Sequence, residues 1–176
     1  MEDLDPIFKI IFENRGMISG SFVRDCIIRE QKINPDKDID ILILFDKVLN
    51  LKADLIKHFN AKILEMDFNE EDKICHFIAY INDYEFDIFS GGDTYCYLSP
   101  PDVDVNTLCW DPFGLESWYY FCDEDEEKYG YEMKINDIVQ RCQNKQAVAI
   151  RSEWEDDISL DQRLDKITGN GWTLLN

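Results

Sequence analysis

The chain has 176 residues and a formal charge of −19, from 18 basic and 37 acidic side chains, with 45% hydrophobic and 13% aromatic residues. This composition excludes an intrinsically disordered protein, and no apolar run is long enough to cross a bilayer. Because such a negative surface repels phosphate backbones, we do not expect long duplex nucleic acid as a partner.

In chain order, the first half of the sequence predicts alternating helices and strands from its apolar periodicity and its turn residues. The predicted elements are a helix from Asp5 and Pro6 to Gly16, a strand at 17–19, a helix at 22–30 capped by Ser21, a strand at 38–45, a helix at 46–60, and strands at 61–68, 74–81 and 84–90. The last two strands are expected to form a hairpin that turns at 82–83.

Beyond Gly91 the pattern is less regular. We expect a loop with a short helix over 99–114, a solvated acidic loop at 123–128, and helices at 134–150 and 158–168. The fold class is therefore α/β (α+β), a mixed β-sheet flanked by helices with a short C-terminal helical extension. We assign residues 1–122 to a head domain and 123–176 to an acidic loop and extension packed on the same domain.

The six cysteines form no Cys-x-x-Cys pair, and the acidic start MEDLDPIFKIIFENRG lacks the basic residues of a signal peptide. We therefore expect free thiols and a cytoplasmic protein that does not associate with membranes. A zinc site built from Cys75, His76 and either Cys96 or Cys122 is disfavoured, because this spacing matches no established pattern.

Two aspartates stand one residue apart at the start of the predicted strand 38-DIDILILF-45. In a strand, Asp38 and Asp40 project to the same side, and such neighbouring carboxylates repel each other unless water or a cation lies between them. Oxygen-rich sites of this kind suit Mg²⁺ or Mn²⁺. Taken alone, however, an Asp-x-Asp pair more often marks a solvated strand end.

A third carboxylate favours the metal site. Asp87, in the strand 84-YEFDIFS-90, joins the pair if this strand lies beside the strand at 38–45. Three carboxylates could hold two cations about 3.5–4 Å apart, an arrangement that supports in-line phosphoryl or nucleotidyl transfer. Glu85, which we assign to the other face of the strand, is the competing candidate, and a lone acid at a sheet edge is the alternative for Asp87.

A Gly-Ser pair precedes the second predicted helix in 18-ISGSFVRD-25. Free backbone N–H groups, a serine hydroxyl and the positive helix end together form an anion site of phosphate size, although Gly-Ser is also common in ordinary capping. Arg24 and Asp25 are either functional groups or an internal ion pair.

Together these motifs resemble the nucleotidyltransferase superfamily of DNA polymerase β, and more closely the head domain of the poly(A) polymerase and tRNA nucleotidyltransferase (CCA-adding) family. The family pattern is Gly-Gly-x-Val-Arg-Asp, then Lys-Asp-Ile-Asp, then Arg-Asp-Phe-Thr-Ile-Asn-Ala-Leu. The matching segments are 20-GSFVRD-25, 37-KDIDIL-42 and 101-PDVDVNTLCWD-111, in the same order. The compact form also resembles nucleotidyltransferase-like proteins of large DNA viruses, which implies the host cytoplasm as its location.

The resemblance implies a Mg²⁺- or Mn²⁺-dependent enzyme that transfers a nucleoside monophosphate from an NTP such as ATP to a hydroxyl of an RNA end, a protein or a small molecule. It assigns metal binding and catalysis to Asp38, Asp40 and Asp87. It assigns nucleotide binding to Gly20, Ser21, Arg24, Asp102 and Asn106, the last two either touching the nucleotide or bracing its pocket.

Departures from the family pattern favour an alternative, a catalytically degenerate protein that keeps the fold for binding or interaction. Pro101 stands where the family keeps an arginine, and Ser21 replaces the second glycine. The base-selecting Glu-Asp-x-x-Arg segment of the family is not recognisable.

Overall fold

The computed structural model describes residues 3–92, 101–117, 120–121, 129–130, 134–150 and 157–175. The helices are α1 (Asp5–Glu13), α2 (Gly20–Phe22, continued as a π-helix over Val23–Ile28), α3 (Phe45–Phe59), α4 (Ile135–Gln143) and α5 (Asp157–Gly169), with a 3-10 turn at Asp104–Asn106. The strands are β1 (Met17–Ser19), β2 (Ile39–Leu42), β3 (Lys62–Asn69), β4 (Ile74–Ile81), β5 (Tyr84–Gly91), β6 (Leu108–Asp111), β7 (Gly114–Ser117), β8 (Tyr120–Phe121), β9 (Tyr129–Gly130), β10 (Gln146–Val148) and β11 (Thr173–Leu175).

Seven strands form one mixed sheet in the order β3-β4-β5-β2-β1-β6-β7. The β2–β5 pair is parallel, whereas the other neighbours in this sheet run antiparallel. The short pairs β8–β9 and β10–β11 stand apart from it, the first antiparallel and the second parallel. The expected α+β class, a mixed sheet flanked by helices, is confirmed.

The two faces of the sheet differ because side chains alternate along each strand. On one face, Ile39 and Ile41 of β2 and Phe86 and Ile88 of β5 are buried in the main core against α1 and α3. On the other face lie Asp40 and Asp87, beside a small apolar cluster that contains Leu42 and Phe89. The apolar core thus fixes which residues of β2 and β5 point to the opposite face.

Several predicted elements occur close to their expected bounds, notably α1, β1, α3, the β4–β5 hairpin and α5. The strand expected over 38–45 is shorter, since Phe45 already begins α3, and Asp38 precedes the strand. The second helix contains an unexpected π-helical segment, so Arg24 and Asp25 both lie on its buried side. The acidic loop at 123–128, and the domain boundary at residue 122, lie outside the described residues.

The helix expected over 134–150 ends at Gln143, because Lys145 adopts a positive φ of 53° and the chain turns into β10. The structure also contains strands that were not predicted, because segments this short show too little periodicity to distinguish a strand from a loop. These are the β6–β7 hairpin, in the region expected to be a loop, and β11, which follows the buried Trp172 and pairs with β10.

The buried carboxylate of Asp104 ties these later elements together. Its Oδ1 accepts hydrogen bonds from the backbone N–H of Val105 (2.9 Å) and of Val148 (2.7 Å), and its Oδ2 accepts one from Arg141 Nε at 2.5 Å. One side chain therefore connects the 3-10 turn, α4 and β10.

Asp104→Ala is expected to lower the free energy of unfolding by roughly 2–4 kcal/mol, because it leaves two backbone donors and Arg141 without their acceptor. Urea unfolding followed by circular dichroism measures this change. Asp161→Ala, at an exposed position of α5, is the control and should change the free energy by less than about 0.5 kcal/mol. Equal effects of the two substitutions would contradict the role given to Asp104.

Candidate active site

Asp38, Asp40 and Asp87 meet at the parallel pair of strands. The register places Asp40 directly opposite Asp87 on β5 and opposite Ser19 on β1. One carboxylate oxygen of each aspartate lies within 4.8 Å of the other two. These three side chains are close enough to hold a metal ion. No other cluster of three or more His, Cys, Asp or Glu side chains among the described residues is as close.

Asp40 is the most enclosed of the three carboxylates. Burial, together with the charges of Asp38 and Asp87, raises its pKa to about 7, although the Ser21 backbone hydrogen bond and the charge of Arg24 favour its ionised form. A carboxylate in this position is stabilised by any cation that neutralises the group. Mg²⁺ and Mn²⁺ prefer sites of this kind, in which all the ligands are oxygens, the carboxylates are negatively charged and the site is partly exposed.

Gly20 makes room for Asp40. Its φ is +66°, and a Cβ at this position would collide with Oδ2 of Asp40 and lie 3.2 Å from its Cγ. Glycine is therefore required at residue 20 both by the backbone conformation and by the close approach of the carboxylate. Beside it, Ser19 borders the same cleft, and its buried Oγ has no hydrogen-bond partner among the described residues.

His76, predicted above only as part of a disfavoured zinc site, contacts Asp87. Its Nε2 lies 2.6 Å from Oδ1 of Asp87, and both side chains are about one third exposed. In the β4–β5 register Ile78 lies opposite Asp87, so His76 is the diagonal neighbour on the same face. The expected turn at 82–83 already fixed this register, and counting back from it would have found His76.

The prediction that Glu85 and Asp87 lie on opposite faces of the strand is wrong. Two residues apart on one strand, the two acids share a face, but Glu85 accepts a hydrogen bond from the Tyr80 hydroxyl, whereas Asp87 joins Asp38 and Asp40. Glu85 therefore stays out of the carboxylate group, because it lies two residues further along β5 and bonds to Tyr80 instead.

Arg24 links helix α2 to the 3-10 turn. Its Nε and Nη2 donate to the two carboxylate oxygens of Asp25 at 3.1 and 3.0 Å, and its Nη1 donates to Oδ1 of Asn106 at 2.7 Å. The guanidinium also lies 4.8 Å from the centre of the Trp172 ring. Arg24 thus forms the internal ion pair with Asp25 that the sequence allowed, and it orients the amide of Asn106.

Asp25 forms ion pairs with three cationic side chains near α2. Besides Arg24, it pairs with Arg29 at 3.4 Å and with Lys37 at 3.2 Å. Burial alone would raise the pKa of Asp25, but the hydrogen bonds and charges of Arg24 and Lys37 outweigh burial and lower it. The carboxylate is therefore ionised, and it holds Lys37 next to Asp38.

A cleft of about 890 Å³ opens in front of these groups. All eight candidate residues line it: Gly20, Ser21, Arg24, Asp38, Asp40, Asp87, Asp102 and Asn106. The cleft is also lined by Pro101 and, from α5, by Arg163 and Lys166. Arg163 Nη1 lies 3.4 Å from Oδ2 of Asp102. The structure therefore brings together residues from positions 19 to 170 of the chain.

Comparison with solved structures relates the fold to that of known enzymes. The chain superimposes on a tRNA-processing enzyme in apo form I with a TM-score of 0.60 and 12% identity, over 99% of this chain and 43% of that one. The Thermotoga maritima CCA-adding enzyme complexed with tRNA gives 0.57 and 12%, over 99% and 39%. A tRNA nucleotidyltransferase complexed with a primer tRNA and an incoming ATP analog gives 0.50 and 13%, over 97% and 46%.

The fold is that of the tRNA nucleotidyltransferases. At these identities the likeness concerns the fold, and this chain spans less than half the length of each of those enzymes. No protein-family model and no curated protein sequence matches the chain.

Cys75 is buried in the main core, whereas its neighbour His76 faces the cleft, so the two cannot share a zinc ion. Cys26, Cys75, Cys109 and Cys142 are free thiols, and Cys96 and Cys122 lie outside the described residues. Among the described residues, no helix is long and apolar enough to cross a membrane.

The raised pKa of Asp40 predicts a pH-dependent loss of stability in metal-free protein. Between pH 4 and 7 the native state keeps the Asp40 proton while the unfolded chain, with a pKa of 3.8, releases it. Relative to Asp40→Asn, the free energy of unfolding should therefore fall by roughly 2–4 kcal/mol across this range and then level off. Urea unfolding at a series of pH values with a chelator measures the difference, and a constant or rising difference would contradict the prediction.

Gly20→Ala is expected to destabilise the protein more than Gly92→Ala. Both glycines have a positive φ, but a Cβ at Gly92 meets no atom of the described residues within 4 Å, whereas one at Gly20 meets Asp40. Backbone strain costs each variant about 1 kcal/mol, and the clash adds about as much again at Gly20. In an Asp40→Ala background the extra cost at Gly20 should vanish, and its persistence in urea unfolding would show that Asp40 is not its cause.

Proposed function

We propose that the protein is a metal-dependent nucleotidyltransferase that moves a nucleoside monophosphate from an NTP to a hydroxyl group. The observation that carries this proposal is the convergence of Asp38, Asp40 and Asp87 within 4.8 Å of one another in an open cleft. This grouping occurs at the parallel β2–β5 pair of a fold shared with tRNA nucleotidyltransferases.

In the proposed reaction, the acceptor oxygen attacks the α-phosphorus of the NTP. A new bond forms between that oxygen and the α-phosphorus, the bond from the α-phosphorus to the bridging oxygen breaks, and pyrophosphate leaves with the electron pair. The proton of the acceptor hydroxyl passes to a nearby base or to water. Divalent cations held by the three aspartates would lower the pKa of the hydroxyl and neutralise the triphosphate.

The side chains around the cleft have separate roles in this proposal. Asp87 either accepts the proton or serves as a cation ligand, and the contact with His76 fixes the direction of its carboxylate. Gly20 and Ser21 bring the start of α2 next to Asp40, and the Ser21 backbone N–H donates to that carboxylate. Asn106, held by Arg24, presents its amide to the nucleotide side of the cleft.

The charge of the chain bears on the acceptor. At −19 the protein as a whole repels a long phosphate backbone, and nonspecific binding of nucleic acid requires Lys and Arg to displace counterions. An RNA end, a protein or a small molecule places fewer phosphates against this surface than a duplex does. We therefore propose one of these three classes as the acceptor.

A second candidate, a binding protein without catalysis, is favoured by two observations. Asp87 already has a short contact with His76, and Pro101 offers no positive group to the cleft. Such a protein would bind ATP more tightly with Mg²⁺ than without it in calorimetry, and it would release no pyrophosphate.

The enzymatic proposal predicts that labelled nucleotide is transferred. The protein is incubated with each α-³²P NTP, with Mg²⁺ or Mn²⁺, and with RNA oligonucleotides, a protein extract or a small-molecule extract as acceptor. Transfer should fall at least about 100-fold in Asp38→Ala/Asp40→Ala, since both substitutions remove metal ligands. Asp83→Asn, at the exposed turn of the β4–β5 hairpin, is the control that should keep full activity. Transfer that persists in the double variant would exclude this mechanism.

A further inference from the structure

We infer that Arg163 and Lys166, both on helix α5, bind the polyphosphate of the nucleotide in this cleft. The inference rests on the proposed function for the identity of the ligand, and it assigns the triphosphate contacts to the C-terminal part of the chain. None of the motifs at positions 20–42 or 101–111 includes these residues.

The pattern of α5 directs its positive charge into the cleft. Arg163, Lys166, Ile167 and Asn170 all line the cleft, and their spacing of i, i+3, i+4 and i+7 places them on one side of the helix. The exposed Asp161 and Asp165 fall on roughly the opposite side at 3.6 residues per turn. On a strongly acidic chain, this helix therefore turns its cations inward and its acids outward.

The other cations of the cleft are already engaged by Asp25. Arg24 is almost fully buried and bonds through three nitrogens to Asp25 and Asn106, and Lys37 pairs with Asp25 at 3.2 Å. Moving Arg24 would leave the buried Asp25 carboxylate without its main partner, and Lys37, half of whose side chain is exposed, also pairs with Asp25. Helix α5 adds two cations to the cleft that do not contact Asp25.

Arg163 and Lys166 are available to a ligand. The closest approach of Arg163 to Asp102 is 3.4 Å, longer than a strong charge-assisted bond, and half of its side chain is exposed. Within the described part of the chain, Lys166 Nζ has neither an ion pair nor a hydrogen bond. A half-exposed guanidinium on a weak tether can turn toward phosphate oxygens at little cost, and its planar fork matches them.

Arg163 also places a positive charge near Pro101, a residue that carries none. Pro101 and Asp102 are adjacent in the chain and both line the cleft, and Arg163 approaches Asp102. A guanidinium from α5 thus lies beside a segment where the proline ring can donate no hydrogen bond. The far end of α5 is anchored, since Lys145 Nζ donates to the Asn170 carbonyl and the Trp172 ring lies against Arg24 and Arg29.

The test is calorimetric binding of inorganic tripolyphosphate, ATP and AMP, each with Mg²⁺, to the whole chain. In Arg163→Ala/Lys166→Ala we expect tripolyphosphate and ATP to bind at least about tenfold more weakly, with AMP changed less than about threefold. Lys57→Ala is the matched control, because Lys57 is an exposed lysine on α3, on the other face of the sheet. Circular dichroism and unfolding midpoints check the fold, and Arg163→Gln alone serves if the double variant does not fold.

Asp102→Asn separates ligand binding from a merely structural role of the Arg163–Asp102 pair. If Arg163 binds phosphate, weakening its tether should strengthen tripolyphosphate binding. If Asp102→Asn instead weakens binding as much as Arg163→Ala does, the pair only positions α5 and the inference is wrong. It is equally wrong if wild-type protein does not bind tripolyphosphate, or if the double variant behaves like Lys57→Ala.

These outcomes are independent of the proposed reaction. Loss of tripolyphosphate binding in the double variant, in a protein that transfers no label from any NTP, would support this site and reject the nucleotidyltransferase. Label transfer that is equally fast in wild type and the double variant would support the enzyme and reject the phosphate site.

Discussion

Mutual repulsion of three carboxylates on one face of the sheet is the constraint on which the rest of the site depends. Asp38, Asp40 and Asp87 lie within 4.8 Å of one another, and Asp40 is buried enough for its pKa to rise to about 7. Like charges so close together destabilise a fold unless something else gains from them. The main core supplies the compensating energy, because Ile39, Ile41 and Ile88 on the other face are fully buried.

Around this constraint, the chain divides its positive charge between two tasks. Arg24, Arg29 and Lys37 surround Asp25 and hold the first helix of the site against the 3-10 turn and Trp172. Arg163 and Lys166 face open space in the cleft from the other side. The first group pairs with protein side chains, and the second is the charge that the proposed phosphate site would use on a chain of net charge −19.

Local signals in the sequence predicted much of this arrangement, and tertiary contacts decided the rest. The Gly-Ser turn, the Asp-x-Asp strand and the β4–β5 hairpin each have strong local patterns, and the structure forms all three. The π-helical turn at Val23–Ile28 has no such pattern, and neither do the short strands β6, β10 and β11, which are held by partners far away in the chain. Arg163 was not predicted because its partner Asp102 lies on a distant element. The contact of His76 with Asp87, by contrast, follows from the register of the predicted β4–β5 hairpin.

The parallel pairing of β2 with β5 has a further consequence for tolerance to insertions. Because Asp40 and Asp87 lie directly opposite each other, adding one residue inside either strand would turn an aspartate into the core and an isoleucine into the cleft. A single slip would damage folding and chemistry together. The exposed turns at 70–73 and 82–83 lie outside this register, and there the chain can lengthen without moving either aspartate. Variation in chain length among relatives should therefore concentrate at the hairpin tips and spare the two central strands.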